Sequence, residues 1–454
     1  MRNNARPLHA RKFTFSFGPA NSASMSPSFG RQSLRPFSIA IFDQVVLSIT
    51  NFLIGFSLIR YASDHDYALY VLVQSTLILM VSVHNSYLTG PLTILATKIP
   101  TEQRWQTIGS VKRVQRRLLR TGAVPLILVP LLGYVTGLMD GLLAWVVAAG
   151  IFAVWAALRR EYLRSVLLMY FRPQALLGAD AAYAVTLLAG VAAAISIGTN
   201  VVVGATFALA VAGWAGAAQA HRALHKDQAW DEGRAVTIWP QIHALGVWSL
   251  TGSVIWWVLG QSYSYFLATR LNLTAVADVN ATRLLLMPAV ILTTGVGSLL
   301  SPTAPGWYAQ IGLHRLVRRL LLFMLVVGLL QFAYFLSIWI GRHWLVVDIL
   351  HKDIHDLDRL VILWVCVIVI GLCRDILQCA LVAMGRLKSL AWQVGVSTAI
   401  AVVIMWFGVG WWGAPGVLIG MIIGELINLA GIILLLRKCM RQAPAPTNSS
   451  LAPP

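Results

Sequence analysis

The chain has 454 residues, of which 58% are hydrophobic and 11% are charged, and its formal net charge is +18 at pH 7. Soluble globular proteins carry about 25% charged residues, so the composition excludes an ordinary soluble domain and predicts an all-α membrane protein with many spanning helices. The basic residues form short groups between apolar segments on alternate connections, which indicates topology bias rather than a nucleic-acid-binding face. The four cysteines contain no CxxC pair and no histidine at ligand spacing, so no metal site is expected.

Residues 1–37 are basic, rich in serine and free of acids, which predicts a disordered cytoplasmic tail or, alternatively, a transit peptide. Apolar segments then recur along the whole chain. They predict twelve spans, at 38–60, 67–89, 118–137, 141–163, 174–196, 200–221, 241–268, 275–300, 318–340, 359–383, 388–409 and 413–436. The expected domains are two six-helix bundles, 38–222 and 241–437, joined by a cytoplasmic linker, 223–240, and followed by a second tail, 438–454.

The positive charges predict the orientation of these spans. With the amino terminus inside, 28 of the 35 Lys and Arg residues fall on inside segments. Five fall outside, namely Arg60, Arg270, Arg342, Lys352 and Arg359. A missing helix would invert every later segment, so this bias predicts an even number of spans with both termini cytoplasmic.

The two halves of the chain resemble each other. Residues 112–119, KRVQRRLL, match 314–321, HRLVRRLL, and residues 160–163, REYL, match 374–377, RDIL. Six spans separate each pair of copies, so the halves have the same orientation and a pseudo-twofold axis along the membrane normal. Parallel half-repeats of this kind occur in transporters, where the substrate binds between the halves.

The eighth span contains Arg283, with Asp278 and Asn280 on its approach. An arginine at mid-bilayer costs about 2.5–3.5 kcal/mol on insertion scales and is tolerated where it faces a protein interior or a wet cavity. Arg283 is therefore the main candidate for a substrate-binding residue. The alternative is a structural ion pair with Asp278 or with Asp43.

Other polar residues follow single helical faces. In the first span, Asp43 begins a stripe of Gln44, Ser48, Asn51 and Gly55. The seventh span carries a stripe of Ser249, Ser253, Gly260 and Ser264, with Gln261 beside it. These stripes predict one aqueous cleft between the halves, although small residues also serve simple helix packing. Asp278, His84, Asp180 and Glu425 are candidates for ion coupling by H⁺ or Na⁺, with a structural, hydrogen-bonded role as the alternative.

No enzyme motif stands out: the sequence has no GxxxxGK[ST], HExxH or GxSxG. The longest outside loop, about 341–358, is short for a catalytic domain, so we expect a transporter without a cofactor and keep a membrane glycan polymerase or ligase as the other class. The basic stretch 101–120 predicts a helix on the inner leaflet that attracts anionic lipids, or that gathers an anionic lipid substrate.

Residues 42–73 resemble the opening of the polysaccharide transporters of the multidrug/oligosaccharidyl-lipid/polysaccharide exporter superfamily. The resemblance includes Asp43-Gln44, Asn51-Phe52, Arg60 and Tyr67–Tyr70, and it continues in LRREYLR, 158–164, and in residues 282–302. It implies a V-shaped pair of six-helix bundles that flips undecaprenyl-pyrophosphate-linked oligosaccharide across the bacterial inner membrane. It also implies a cationic central cavity, which Arg283 matches by position and type, with Arg60 and Arg270 near the outer mouth.

The expected function is therefore a lipid-linked oligosaccharide flippase that works by alternating access. The expected partners are the pyrophosphate-linked glycan, membrane lipids and a polysaccharide polymerase or export machinery, with no nucleic acid. A small-molecule antiporter of the related multidrug branch is the transport alternative.

Overall fold

The structure, a computed structural model, describes residues 31–96, 99–170, 172–198, 200–225 and 238–442. Its described residues form helices and short connections. The first half contains α1 (Arg31–Tyr61), α2 (Asp64–Ala96), α3 (Thr101–Val135), α4 (Gly141–Met169), α5 (Pro173–Ile197) and α6 (Val201–His225). Within α2, residues Asn85–Thr89 form a π-helical turn.

The second half begins with α7 (Trp239–Arg270) and continues in one long helical stretch, Leu273–His343. Gly312 interrupts that stretch with φ 73° and ψ 173°, a conformation open almost only to glycine. We therefore divide it into α8 (273–311) and α9 (313–343), and a π-helical turn, Trp344–Ile349, follows α9. The remaining helices are α10 (Leu357–Ala383), α11 (Leu387–Trp412) and α12 (Ala414–Gln442).

Side-chain caps set several helix starts. Asp140 accepts a hydrogen bond from the Leu143 N–H at 2.7 Å, and Asn272 accepts one from the Ala275 N–H at 2.8 Å. Each cap satisfies one of the amide groups that the first turn of a helix leaves without a partner. These caps fix where α4 and α8 begin, and so fix the level at which their later residues lie.

The predicted all-α membrane fold is confirmed. In the described part of the chain, eleven helices are long and apolar enough to cross a membrane. The third predicted span, 118–137, is not one of these eleven; it falls on the second half of α3, where the side chains of 123–125 and 127 lie outside the described residues. The orientation of the termini stays a prediction, and we use "outer end" for the end that holds the α1–α2 connection and "inner end" for the opposite one.

The predicted limits of the two tails and the linker can be compared with the helix bounds and with the described residues. Helix α1 begins at Arg31, inside the expected tail 1–37, of which residues 1–30 lie outside the described part. Most of the expected linker, 226–237, also lies outside it. Helix α12 runs to Gln442, past the expected start of the second tail at 438, and residues 443–454 are not described.

Small residues bring the helices of each half together. A Cβ added to Gly213 of α6 would lie 2.8 Å from the Cβ of Ala156 in α4, and one added to Gly190 of α5 would lie 2.7 Å from Ala208 in α6. In the other half, a Cβ on Gly424 of α12 would lie 2.5 Å from that of Ala401 in α11. Such close crossings are typical of packing between membrane helices, and contacts between the halves run mainly through α1, α2, α7 and α8.

Candidate substrate cleft and its charged residues

Helices α1 and α8 touch at Gly55 and Leu284, and residues of α1 nearer the inner end on the same face are exposed. Gly55 is buried against Leu284, and a Cβ on Gly55 would lie 3.0 Å from Leu284 Cδ1. Asn51 and Gln44 share that face of α1, at i−4 and i−11 from Gly55, and both are exposed. The face that meets α8 at Gly55 is therefore exposed nearer the inner end, and this is where we place the candidate cleft between the halves.

Helix α1 has three distinct faces. Its buried face carries Asp43 and Ile54, and its cleft face carries Gln44 and Asn51. The third face is apolar and exposed, with Phe42, Val45, Ile49 and Leu53 at exposed fractions of 57%, 39%, 52% and 41%. The 100° rotation per residue of an α-helix places the centre of this apolar face about 150° from the cleft face, with Val45 nearest to it at about 100° from Gln44. Helix α1 therefore turns most of its exposed apolar side chains away from the cleft residues.

Helices α2 and α7 close the other side of the cleft along a line of polar contacts, which we call the α2–α7 seam. Trp257 Nε1 donates to the Ser75 carbonyl oxygen at 2.9 Å, and Ser75 Oγ donates to Gln261 Oε1 at 3.4 Å. Near the inner end Ser86 and Ser253 join through their hydroxyl groups. The structure therefore places Gln261 and Ser253, which the sequence assigned to the cleft wall, inside a closed contact between the halves.

The π-helical turn of α2 supplies the inner end of this seam. Tyr87 lies in the turn, and its hydroxyl is 2.7 Å from His243 Nδ1 of α7. A Cβ added to Gly246 of α7 would lie 2.5 Å from the Tyr87 carbonyl oxygen, so the two backbones nearly touch. Single π-helical turns are frequent at functional sites, and here the turn brings α2 against α7.

Charged groups close the outer end. Arg60 Nη1 donates to the Ile349 carbonyl oxygen at 2.9 Å, and Lys352 Nζ donates to Asp64 Oδ1 at 2.6 Å and to the Ala62 carbonyl oxygen at 3.0 Å. All of these contacts join the two halves. They place Arg60 in the closure of the outer end, and Arg270 lies apart from it, with its guanidinium carbon 4.7 Å from the centre of the Trp406 ring.

Arg283 lies next to Leu284, at the level where the cleft ends, and is half-buried. Its Nη1 donates to the Tyr263 hydroxyl at 3.0 Å, and its guanidinium carbon is 5.5 Å from the centre of the Trp364 ring. No carboxylate of the described residues lies within 4.0 Å of its nitrogen atoms. Arg283 is therefore held by a neutral hydroxyl and aromatic rings, an arrangement that leaves its positive charge uncompensated.

A chain of neutral hydrogen bonds fixes the groups around Arg283. The Tyr263 hydroxyl donates to Asn280 Oδ1 at 2.7 Å, and Asn280 Nδ2 lies 3.3 Å from Ser264 Oγ. Trp364 Nε1 donates to the Val279 carbonyl oxygen at 3.0 Å. Asn280 therefore holds the Tyr263 hydroxyl, which in turn accepts the hydrogen bond from Arg283. The sequence drew attention to Asn280 and Ser264 but gave no signal for Trp364, which belongs to α10.

Asp43 lies on a different face of α1 from the cleft residues, because it is one residue, or about 100°, away from Gln44. It is 1% exposed and accepts a hydrogen bond from Arg164 Nη2 at 2.9 Å. Arg164 Nε also donates to Asp180 Oδ2 at 2.8 Å, and Arg160 Nη2 donates to Asp180 Oδ1. The structure therefore joins Asp43 and Asp180 through arginines of α4, away from Arg283.

This buried cluster has an unequal number of charges. It contains the carboxyl groups of Asp43, Asp180 and Glu161, the last 3.5 Å from Arg160, against the two guanidinium groups of Arg160 and Arg164. Asp43 Oδ1 is buried and has no hydrogen-bond partner. Since buried charges are costly unless paired, a proton or a small cation at Asp43 would balance the cluster.

The second half has a smaller counterpart. Arg374 of α10 bonds Asp375 at 2.9 Å and also Glu425 of α12. Arg374 corresponds to Arg160 in the internal repeat, and each arginine bonds the next residue along its helix and a buried acid of a neighbouring helix. Glu425 therefore lies in an ion pair that joins α10 to α12.

The two remaining candidates for ion coupling lie in different places. His84 Nε2 is 2.9 Å from Gln115 Nε2, which also donates to the Leu158 carbonyl oxygen at 2.9 Å, so His84 is a neutral acceptor between α2, α3 and α4. Asp278 is 8% exposed and lines a small cavity at the outer end with Asp64 and Lys352. Neither residue contacts Arg283 directly.

The chain was compared with known proteins by sequence and by structure. No protein-family profile matches it, and no curated protein matches it by sequence. It is similar to the inward-facing conformation of a multidrug resistance MATE family transporter of the MOP superfamily, with a TM-score of 0.70 and 13% identity over 88% of this chain and 96% of that one. It is also similar to the lipid II flippase MurJ in an inward closed conformation, with a TM-score of 0.69 and 9% identity over 89% of this chain and 87% of that one.

An outward-facing conformation of a multidrug resistance MATE family transporter is similar at a TM-score of 0.62, with 13% identity over 90% of this chain and 96% of that one. At these identities the likeness concerns the fold. The chain therefore has the fold that the multidrug transporters and the lipid flippase share, which confirms the fold expected for this superfamily.

Proposed function

We propose that the chain is a flippase that moves an isoprenoid-pyrophosphate-linked oligosaccharide across the bacterial inner membrane by alternating access. The observation that carries the proposal is Arg283, a half-buried arginine without a carboxylate partner at the closed end of a cleft. A pyrophosphate is the kind of anion that guanidinium groups bind through paired hydrogen bonds. The head group would rest below Arg283, with the sugars along Gln44 and Asn51.

The shape of the cleft favours a lipid-linked substrate over a soluble one. The α2–α7 seam closes one side, while the α1 residues below Gly55 are exposed. Helix α1 also exposes apolar side chains that begin at Val45, about 100° from Gln44, and continue to Ile49 and Phe42 on its far side. A head group could occupy the polar side while an isoprenoid tail stays in the bilayer along Phe42, Val45 and Ile49. This arrangement avoids the cost of moving the tail through water, about 0.8 kcal/mol for each CH₂ group.

Ion coupling is assigned in this proposal to the cluster of Asp43, Arg164 and Asp180. Its charge imbalance gives it a reason to take up a proton or Na⁺, and it bonds α1, which lines the cleft, to α4 and α5. Loss of the bound cation would change the contacts that hold α1. The cluster thus links an ion to the helix that contacts α8.

A cation-coupled antiporter of small molecules is the second candidate, and the same cluster favours it equally. The two functions differ in the charge of the cargo that the cleft accepts. The uncompensated charge of Arg283 would repel a cationic drug, so this residue favours an anionic cargo. Drug resistance that is lost on deletion of the gene would support the antiporter instead.

The experiment is a complementation assay for polysaccharide export with Arg283→Ala and Arg283→Lys. We expect Arg283→Ala to reduce export at least tenfold and to leave lipid-linked sugar in the cytoplasmic leaflet, while Arg283→Lys keeps part of the activity because it keeps the charge. Arg315→Ala, an exposed arginine at the inner end of α9, is the matched control. Full export by a normally expressed Arg283→Ala protein would remove the proposed function.

A further inference from the structure

Three arginines meet outside the cleft, on α3 and α4. The guanidinium carbon of Arg159 in α4 lies 4.6 Å from the centre of the Trp214 ring in α6. Arg116 and Arg120 are one turn apart on α3, so they share a face of that helix. Gln115, beside Arg116, donates to the carbonyl oxygen of Leu158, beside Arg159, at 2.9 Å, so α3 and α4 pack closely here and bring the three positive charges into one group.

The packing of α4 on α6 fixes this group. The two helices touch at Ala156 and Gly213, where a Cβ on Gly213 would lie 2.8 Å from Ala156 Cβ. Trp214 follows Gly213, and Arg159 comes three residues after Ala156, so the close crossing lays the guanidinium across the indole. The Trp155 ring meets the edge of Trp214 at a centroid distance of 5.4 Å, which gives Arg159 a rigid aromatic platform.

The group lies at the border between an apolar band and the inner end. Leu118 and Leu126 of α3 are 58% and 50% exposed, and Phe207 of α6 is 58% exposed, as expected of surfaces that face acyl chains. His221, one turn before the end of α6, is within electrostatic range of Arg159. Tryptophan and basic residues are typical of the depth at which lipid phosphates lie.

The internal repeat shows that this group is not a general feature of basic inner loops. The matched segments pair Arg116 with Arg318, but they pair Arg120 with Leu322 and Arg159 with Cys373. The second half thus keeps one of the three arginines. In the second half Arg319 also lies over a tryptophan ring, that of Trp307, at 5.5 Å. No basic residue stands there at the positions that match Arg120 and Arg159, so the additional charges belong to the first half.

We propose that Arg116, Arg120 and Arg159 form a binding site for the phosphate of an anionic phospholipid in the inner leaflet. Arg159, held over the Trp214 ring, donates to phosphate oxygens through its planar guanidinium, and the two α3 arginines supply flanking charge. The acyl chains lie along the exposed leucines of α3. Basic sites between membrane helices are known to hold such head groups, and this site is separate from the cleft and independent of the cargo.

The test titrates the purified full-length protein, in phosphatidylcholine nanodiscs, with cardiolipin and measures bound lipid by native mass spectrometry. The variant is Arg120→Gln with Arg159→Gln, and the matched control is Arg318→Gln with Arg319→Gln, which removes the same charge from the second half. Each basic residue near the membrane surface contributes about 1 kcal/mol to the binding of anionic lipid. Because the variant lacks two of them, we expect it to bind cardiolipin about 30-fold more weakly. The control is expected to stay within about twofold.

Three further measurements make the result decisive. Arg120→Gln alone is expected to weaken binding about fivefold, and it replaces the double variant if that protein does not purify. Arg159→Lys is expected to recover only part of the binding, because lysine lacks the planar stack. Unchanged cardiolipin binding in the double variant, an equal loss in the control, or one-for-one competition by a short-chain isoprenyl pyrophosphate would overturn the proposal.

Discussion

Leu284 of α8 packs against Gly55 of α1. A Cβ on Gly55 would lie 3.0 Å and 3.1 Å from the two methyl groups of Leu284. The glycine therefore sets how closely α1 approaches the helix that carries Arg283. This contact therefore contributes to the spacing of α1 and α8 beside Arg283.

Gly55→Leu is expected to reduce export about tenfold without loss of expression. The added side chain overpacks the contact, which costs about 1–3 kcal/mol, and it holds α1 away from α8. Gly252→Leu is the control, because no atom lies within 4 Å of a Cβ at that position. The double variant Gly55→Leu with Leu284→Ala should regain export, and failure of this exchange would contradict a steric role for Gly55.

Trp364→Ala is expected to weaken substrate binding about as much as Arg283→Ala does. The indole lies beside the guanidinium and is itself held by the Val279 carbonyl, so its loss frees Arg283 to move. Trp364→Phe keeps an aromatic face and should lose less, about 1 kcal/mol for the missing hydrogen bond. Binding of a soluble pyrophosphate-sugar analogue by calorimetry distinguishes these outcomes, and equal affinity in both variants would argue against the aromatic support.

Lys352→Ala is expected to loosen the outer end. Its ion pair with Asp64 is partly exposed, with side-chain exposures of 19% and 39%, so the effect should be about 0.2–1 kcal/mol. In a background whose four native cysteines are replaced by serine, a cysteine placed at Ala281, in the adjoining cavity, should then react about two to five times faster with a water-soluble maleimide. The charge exchange Asp64→Lys with Lys352→Asp should restore the slower rate; an unchanged rate in Lys352→Ala would exclude this ion pair as a closing contact.

Asp43→Asn and Arg164→Ala are expected to act in opposite directions on stability. Asp43→Asn removes the excess negative charge, so the midpoint temperature of unfolding should stay the same or rise. Ion-driven transport should be lost in the same variant. Arg164→Ala leaves the buried Asp43 without its partner and Asp180 with Arg160 alone, which costs about 3–5 kcal/mol. Thermal unfolding followed by size-exclusion chromatography measures both, and an equal fall in the two midpoints would contradict the charge imbalance.

Hydropathy predicted most of the helices because each span is apolar along its own length; the orientation that the charge bias indicates stays a prediction. The sequence alone drew attention to Arg283, because a cation within a span is costly, and its role in substrate binding stays a prediction. The connection between the eighth and ninth spans could not be predicted. Residues 301–317 contain Pro302, Pro305 and Gly306, which are typical of a loop, yet the structure is helical on both sides of Gly312. Prolines are tolerated in membrane helices where neighbouring groups satisfy the freed backbone, so they did not mark the break.

The seam and the ion cluster could not be predicted from spacing. A stripe of Ser, Gln and Gly residues looks the same whether it lines water or meets another polar helix, so Gln261 and Ser253 were assigned to the cleft. Asp43 and Arg164 are 121 residues apart, and only the rotation of α1 about its axis decides which of Asp43 and Gln44 points inward. That rotation depends on contacts with α4 and α5 that no local pattern records.

Gly312 fixes the bend between α8 and α9. Its φ of 73° and ψ of 173° belong to a region that residues with a side chain almost never occupy. The angle between α8 and α9 therefore depends on this one glycine. If α8 tilts during a transport cycle, α9 would therefore tilt with it, together with the helices that pack against α9.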